Sequence, residues 1–553
     1  MRLLAALLLL EVSTAHSFAD LMREADQRMH HGMANAERTG DPDHDFASEM
    51  IPHHQGAIDM ARIELLYGKD PVLRRIAQEI IVTQQQEIQV MQLASNGGQA
   101  PGAASAPDIP VSSKDRVYLS DQFSNTVSVI DPATAKYLGA IKLGELTPAN
   151  LSPLYKGQLL VHGMGLSPDH KTLLAVSIGS NSVTFIDTAT NAVKHTAYVG
   201  RSPHEAMFTP DGKEVWVTVR GEDYVQVLDA KTYQPKLRIA VPNGPGMTIF
   251  SPDNRYGYVC SSFTPETVVI SVQNHGIVGQ VAQPSPFCPD LAASPDGQEV
   301  WETLKDIGKV MVFGAKPPFK VLATIDTGPI TNHVNFVRNS KGQFAYVTVG
   351  GENAVKVFTT GDSPKLVATI ATGDLPHGLW PSGDGKLLAV GLENANAVAL
   401  IDTETNTVKA TIPSGQAPQG MTYVPNAVPT GDGLANLVPL GKASEASHFK
   451  LGPQGSTAVT TTVTASSQGL VDYVQAAVTG VEPKQAYFLA TAPNADGSGA
   501  LVQLAKFTAN PAGAAIVDAV GELRTVLNGT DGAQRRYLVI AKEADGKVVQ
   551  VSK

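Results

Sequence analysis

Residues 49–61 read EMIPHHQGAIDMA. Within this stretch Met50, His53, His54 and Met60 crowd thioether sulfur and imidazole nitrogen into a few turns of chain. On a helix Met50, His53 and Met60 share one side, because offsets of three and seven return to the same face, and His54 borders it. The residues before it add Met22, Met29, His30, His31 and Met33, and those after it add Met91, preceded by Gln84 and Glu87. With the initiator set aside, six of the chain's 12 methionines fall here (Met22, Met29, Met33, Met50, Met60 and Met91). Thioether and imidazole together are soft to borderline donors, which favour copper, and Cu(I) above all, over zinc or iron. Carboxylates are too sparse on this face for a di-iron pattern of Glu with Glu-x-x-His. The expected ligands are Met29, His30, Met33, Met50, His53, His54, Met60 and Met91. The competing reading puts the methionines in a helical core and the histidines at its surface.

A second set of imidazoles is spread through a repeat. The stretches HGMGLSPDHKTLLAVSIGSNSVTFIDTATN, HEAMFTPDGKEVWVTVRGEDYVQVLDAKT and HGLWPSGDGKLLAVGLENANAVALIDTETN share one pattern of three apolar strands and two polar turns. Equivalent turn positions fall at Pro168, Pro210, Pro252, Pro295, Asn339, Gly383 and Pro425, in steps of 42, 42, 43, 44, 44 and 42. A period of this size built from short strands predicts a propeller. The segment VYLSDQFSNTVSVIDPATAKYLGAI lacks an inner strand before it, and QGMTYVP lacks an outer set after it. Joining the two closes a seven-bladed ring with one blade shared by both ends, which removes the exposed edges. Six residues before each turn position the inner strands open on His162, His204, Gly246, Pro289, His333, His377 and Gln419. His162, His204, His333 and His377 are thus candidate ligands at the axis if the ring is narrow. The alternative is that each bonds a neighbouring loop. Cys260 and Cys288 are the only cysteines; a disulfide between them and two free thiols are both open.

These groups need positioning elements. Residues 1–17 read as a leader, with Arg2, an apolar run from Leu3 to Leu10, and Ala15 and Ser17 before a cleavage point. Residues 18–95 read as three helices in an antiparallel bundle, over about 18–37, 45–67 with Asp43 as cap, and 71–93. Residues 96–112 are a Gly/Ala/Ser/Pro linker, 113–427 the propeller, 428–444 a second linker, and 445–553 a small β-sandwich-like domain of alternating segments such as TAVTTTVTA and RYLVIAKE. The last domain carries no chemical motif. The chain has 553 residues, 43% hydrophobic and 17% charged, with a formal charge of −10. That suits several folded domains and offers no basic footprint for nucleic acid. No apolar run reaches membrane length.

The segment DFASEMIPHHQGAIDMARIELLYGKDPVLRRIAQEIIVTQQQEIQVMQ resembles the domain of unknown function 305 family. The resemblance implies a ferritin-like helical fold and, since members include periplasmic copper binders, copper at Met50, His53, His54, Met60 and Met91. Segments such as AYVTVGGENAVKVF and SPHEAMFTPDGKEVWVTV resemble the YVTN family of seven-bladed propellers over about residues 115–427. Phosphate-binding loops, dinucleotide fingerprints, Gly-x-Ser-x-Gly elbows and haem-attachment motifs do not occur. The expected function is therefore an exported, periplasmic or secreted, copper-binding protein. It would sequester or transfer Cu(I) through the helical domain, with the propeller as platform. One alternative is an envelope protein that binds a protein or polysaccharide at the propeller face. The other is a propeller metalloenzyme with a histidine-lined axial site.

Overall fold

The computed structural model describes residues 17–40, 42–70, 72–74, 76, 77, 80, 81, 84, 88, 91, 109–144, 157–361, 363–439, 446–467, 472–511, 513–521, 523–529 and 534–553. The expected leader lies outside these residues except for Ser17, as does most of the first linker. The chain divides into two units, residues 1–98 and 99–553.

In the first unit, α1 (Phe18–Ala34) and α2 (Pro42–Tyr67) form an antiparallel pair. The Ser17 hydroxyl accepts the Asp20 N–H and caps α1. This helix stops three residues before the expected Glu37, where the Asn35 side chain donates to the His31 carbonyl at 2.8 Å. Helix α2 begins earlier than expected, at Pro42, whose fixed φ suits a first helical position. Asp45 ties the preceding loop by accepting the N–H groups of Thr39 at 2.6 Å and Gly40 at 3.1 Å; the side chain of the expected cap Asp43 lies outside the described residues. The helices cross where glycine lets them: a Cβ on Gly32 would lie 2.6 Å from Pro52 Cβ, and one on Gly56 2.5 Å from Met29 Cβ. Every described position from Val72 to Met91 is helical. Ala25, Ala47, Ile58, Ala61, Ile63, Ala77 and Ile88 are the buried core. The unit is thus a small helical region, a coarser result than the ferritin-like bundle implied by sequence.

The second unit holds seven four-stranded antiparallel sheets. Blades 1 to 6 span residues 161–198, 203–240, 245–282, 291–326, 331–371 and 376–413. Blade 7 joins Pro418–Val424, as innermost strand, to residues 116–142, with Val117 opposite Tyr423 and Leu119 opposite Met421. The ring closes between the two ends of the repeat, as its pattern requires. One turn chemistry recurs between first and second strands. The hydroxyls of Ser167, Thr209, Ser251, Ser294 and Ser382 donate to the carboxylates of Asp169, Asp211, Asp253, Asp296 and Asp384 at 2.6–2.7 Å. This local bond favours the turn over a continued strand. Blade 5 has Asn339 there, and its hairpin closes tightly with Asn339 opposite Gly342.

Residues 428–439 of the expected second linker lie against the propeller: Ala140 and Val438 pair, and Asn191 donates to the carbonyls of Gly433 and Ala435. Beyond them one eight-stranded antiparallel sheet runs from Val502–Thr508 through Ala486–Ala492, Tyr537–Lys542, Val548–Ser552, Ser447–Pro453, Thr461–Ser467 and Asp472–Val478 to Ala515–Gly521. Its first and last strands touch, so the sheet curls into a barrel around Leu451, Val463, Val474, Tyr487, Leu489, Leu538 and Ile540. This corrects the sandwich-like expectation. Alternation in sequence says that one face is apolar, but not whether that face meets a second sheet or its own far edge.

Candidate functional site

The inner strands of blades 1, 2, 5 and 6 bring His162, His204, His333 and His377, which lie near the strand starts, together. The ring centroids of His162 and His204 are 4.6 Å apart, those of His333 and His377 also 4.6 Å, and those of His162 and His377 6.3 Å. The four histidines therefore form one continuous cluster. The three remaining positions, Gly246, Pro289 and Gln419, supply no imidazole.

The tightest contact is between His162 Nε2 and His204 Nε2, at 3.0 Å. His204 Nδ1 donates to the Gly246 carbonyl at 2.9 Å, and His162 Nδ1 meets Gln122 Oε1 at 2.7 Å. A neutral imidazole carries one N–H. With both protons on Nδ1, two lone pairs face each other across the gap. Two cis ligands bound at about 2.0–2.1 Å would have nitrogens about 2.9 Å apart at a right angle and about 3.3 Å at a tetrahedral one. Glu205 completes the set: among the described residues, His162, His204 and Glu205 are the one group of three imidazoles or carboxylates whose ligand atoms lie within 4.8 Å of one another. Glu205 Oε2 also accepts the Met164 N–H at 3.2 Å. It fits because residue 163 is glycine; a Cβ there would stand 2.4 Å from that oxygen.

The other pair has its own carboxylates. His333 Nδ1 lies 3.5 Å from Asp290 Oδ2, which accepts the Val334 N–H at 2.9 Å. His377 Nε2 lies 4.0 Å from Glu393 Oε2, and the ring also meets the Gln419 backbone. Below the histidines a cavity of about 30 Å³ is lined by Glu205, Asp290 and His333, with Met164, Met207, Met247 and Met421 around it. About 30 Å³ is one water's share of the liquid, so the space suits an ion or a water rather than an organic molecule.

Burial dominates the electrostatics. It holds His162, His204 and His377 well below the ordinary imidazole range, with Arg220 adding to it at His162 and His204. It takes His333 down to about 3. Burial raises Glu205 well above a normal carboxyl, with nearby Asp290 adding to it, and pushes Asp290 up to about 8. At neutral pH the cluster is thus neutral imidazoles beside carboxyls that resist ionisation, a donor set that a cation would rescue.

A second ring follows from the repeat. The residue after each blade's second strand stands at this same end: Gln122, Arg220, Lys305 and Glu393 in blades 7, 2, 4 and 6. Over it sits the C-terminal barrel. The rings of Phe123 and Tyr473 are 6.2 Å apart, Asn510 donates to Asp306 at 2.7 Å, and Thr464 bonds Asn394 at 3.2 Å. The barrel therefore roofs the histidine cluster. Sequence reading missed Glu205, Asp290 and this second ring, although their fixed offsets from the repeat were available as a signal.

In the helical unit the expected ligands are less gathered. His30 is exposed, with its Nδ1 at the Asp26 carbonyl, 2.9 Å. His54 Nδ1 bonds the Met50 carbonyl at 2.8 Å. Among the described residues the buried His53 Nδ1 finds no partner, and its ring is 5.7 Å from that of His54. Met29, Met33, Met50, Met60 and Met91 are half-buried around the core rather than in it. Cys260 and Cys288 form a disulfide with a Cα separation of 6.0 Å, linking blade 3 to the lead-in of blade 4.

Two family models match. Residues 11–94 match "Domain of unknown function (DUF305)" and residues 186–422 match "Lactonase, 7-bladed beta-propeller". Both resemblances read from sequence, the DUF305 region and the seven-bladed propeller, are thereby met. No curated protein matches. Among solved structures, a hydrazine synthase of Kuenenia stuttgartiensis is similar at 20% identity and TM-score 0.43, over 49% of this chain and 92% of that one. A functionally unknown protein of Desulfotomaculum acetoxidans is similar at 13% and 0.48, over 56% and 98%. A periplasmic gluconolactonase of Pseudomonas aeruginosa is similar at 16% and 0.45, over 56% and 99%. At these values the likenesses say nothing of activity.

Proposed function

We propose that this protein binds a transition-metal ion, copper being the best match, at His162, His204 and Glu205 in the roofed axial chamber of its propeller. The observation that carries this reading is the pair of Nε2 atoms 3.0 Å apart with both Nδ1 atoms engaged. Turning the Gln122 amide would let His162 donate to His204 instead, and a metal measurement separates the two. Imidazole and carboxylate suit several metals, but four thioethers beneath them tilt the choice to copper. The helical region, with His53 and the flanking methionines, is a second candidate site that could load or buffer Cu(I). The disulfide fits an oxidising compartment and so an exported protein. The test is metal content and a Cu(I) competition titration on the whole protein and on His162→Gln and His204→Gln. Equal binding by wild type and both variants would remove the propeller site.

The lactonase family match favours a second reading, hydrolysis of a small lactone at the same face. Against it stands size: pockets for small organic ligands are roughly 300–1,000 Å³, while this cavity is about 30 Å³. Lactone hydrolysis would require the barrel to lift. Acid release from gluconolactone, absent in His204→Gln, would establish it.

A further inference from the structure

His333 and His377, near the inner-strand starts of blades 5 and 6, repeat the arrangement of His162 and His204 in blades 1 and 2. In each pair the ring centroids are 4.6 Å apart, and the ring planes meet at 52° in the one and 48° in the other. In each, the downstream ring meets the backbone of the next blade's inner strand: His204 Nδ1 donates to the Gly246 carbonyl at 2.9 Å, and His377 meets Gln419. Each pair also has a carboxylate pinned by a backbone N–H beside its upstream histidine. Glu205 Oε2 accepts from Met164 at 3.2 Å, and Asp290 Oδ2 accepts from Val334 at 2.9 Å. Both carboxylates line the one axial cavity, together with His333.

The chamber thus carries its donor set twice. Two imidazoles and a carboxylate are enough protein donors for a four-coordinate ion with one open position. In the second set His333 Nδ1 stands 3.5 Å from Asp290 Oδ2. That is too long for a good hydrogen bond. It is close to the separation of about 3.3 Å between two donors on one tetrahedral ion. Among the described residues only the first set has all three donor atoms within 4.8 Å of one another. The second must close up on binding, so its ion should be held less tightly. The two pairs are neighbours, with the His162 and His377 centroids 6.3 Å apart.

We propose that the axial chamber holds a second transition-metal ion at Asp290, His333 and His377, which makes the propeller centre binuclear. This rests on the metal reading of His162, His204 and Glu205. The test is anaerobic Cu(I) titration of full-length protein with bound ions counted by native mass spectrometry. It compares wild type with His162→Gln/His204→Gln, with His333→Gln/His377→Gln and with all four changes combined. Counts are taken relative to wild type, so ions held by the helical unit cancel. Each double variant should hold one ion fewer, and the quadruple variant two fewer. Asp290→Asn should weaken the later-binding ion about tenfold or more and leave the earlier one unchanged; it decides the matter if the His333→Gln/His377→Gln protein does not fold. A quadruple variant that loses only one ion would mean a single shared ion and overturn the proposal. Loss in the His162→Gln/His204→Gln protein alone, with Asp290→Asn unchanged, would overturn it too and leave the first ion standing. No loss in any variant would overturn both readings.

Discussion

His162 and His204 bring their Nε2 atoms to 3.0 Å of each other while an oxygen holds each Nδ1. In that state neither ring has a proton to offer the other, and burial opposes adding one. Replacing His204 by Gln should weaken copper binding by more than about 100-fold, and removing the supporting amide in Gln122→Ala by about 10–100-fold. The metal-free His204→Gln protein should melt no lower than wild type. Chelator competition and calorimetry check these outcomes.

Gly163 tests the carboxylate. Its missing Cβ is what lets Glu205 Oε2 approach the Met164 N–H. A Cβ at 163 would also stand 2.3 Å from the His204 carbonyl, so Gly163→Ala should reduce metal affinity by displacing Glu205 and the His204 strand together. Glu205→Gln, which keeps the shape and removes the charge, should reduce it too. Unchanged affinity in both would take Glu205 out of the ligand set.

In the metal-free protein His333 and Asp290 make opposite contributions to the pH dependence of stability. His333 titrates at about 3 when folded and near 6.5 when unfolded. The unfolded chain thus binds the extra proton, and stability present above 6.5 is lost as pH falls toward 3. Asp290 titrates at about 8 when folded against 3.8. The folded state keeps the proton there, and stability present below 3.8 is lost as pH rises through 8. Between 3.8 and 6.5 these two slopes oppose and cancel, so melting temperatures in chelator should be level up to about pH 6.5 and fall toward about pH 8, and Asp290→Asn should remove that fall and uncover the acid-side loss that His333 causes. Metal uptake should release protons, so affinity should rise with pH.

The Cys260–Cys288 bridge closes a segment with a sequence separation of 28. Loop-closure entropy for such a segment is roughly 3–4 kcal/mol. Reduction, or Cys260→Ser/Cys288→Ser, should lower the melting temperature accordingly, with metal stoichiometry retained. Loss of metal with the fold intact would mean that blade 3 positions the site, since His204 bonds Gly246 there.

The propeller was legible because its turns repeat at a nearly constant step, and each Ser/Thr-x-Asp turn carries its own hydrogen bond. That same period placed four histidines at inner-strand starts. It could not say how wide the mouth is, which depends on how closely Gly163, Gly378 and Gly420 let neighbouring inner strands approach. The adjacent Glu205, and Arg220 and Lys305 one strand on, looked like ordinary turn charges until the barrel was seen to enclose them. The barrel itself was unreadable as a roof, because the residues that dock it, Tyr473, Thr464 and Asn510, carry no sequence signal for a distant partner. In the helical unit the histidine and methionine spacing was plain, yet His30 and His54 bond backbone carbonyls of their own helices.

The most direct test is anaerobic Cu(I) titration of the full-length protein against a competing chelator, with bound metal counted by native mass spectrometry, in wild type, His162→Gln/His204→Gln and His53→Gln. The account predicts a tight ion that the propeller double variant loses and the His53 variant keeps. Full retention by the double variant, or no bound copper in wild type, would contradict it.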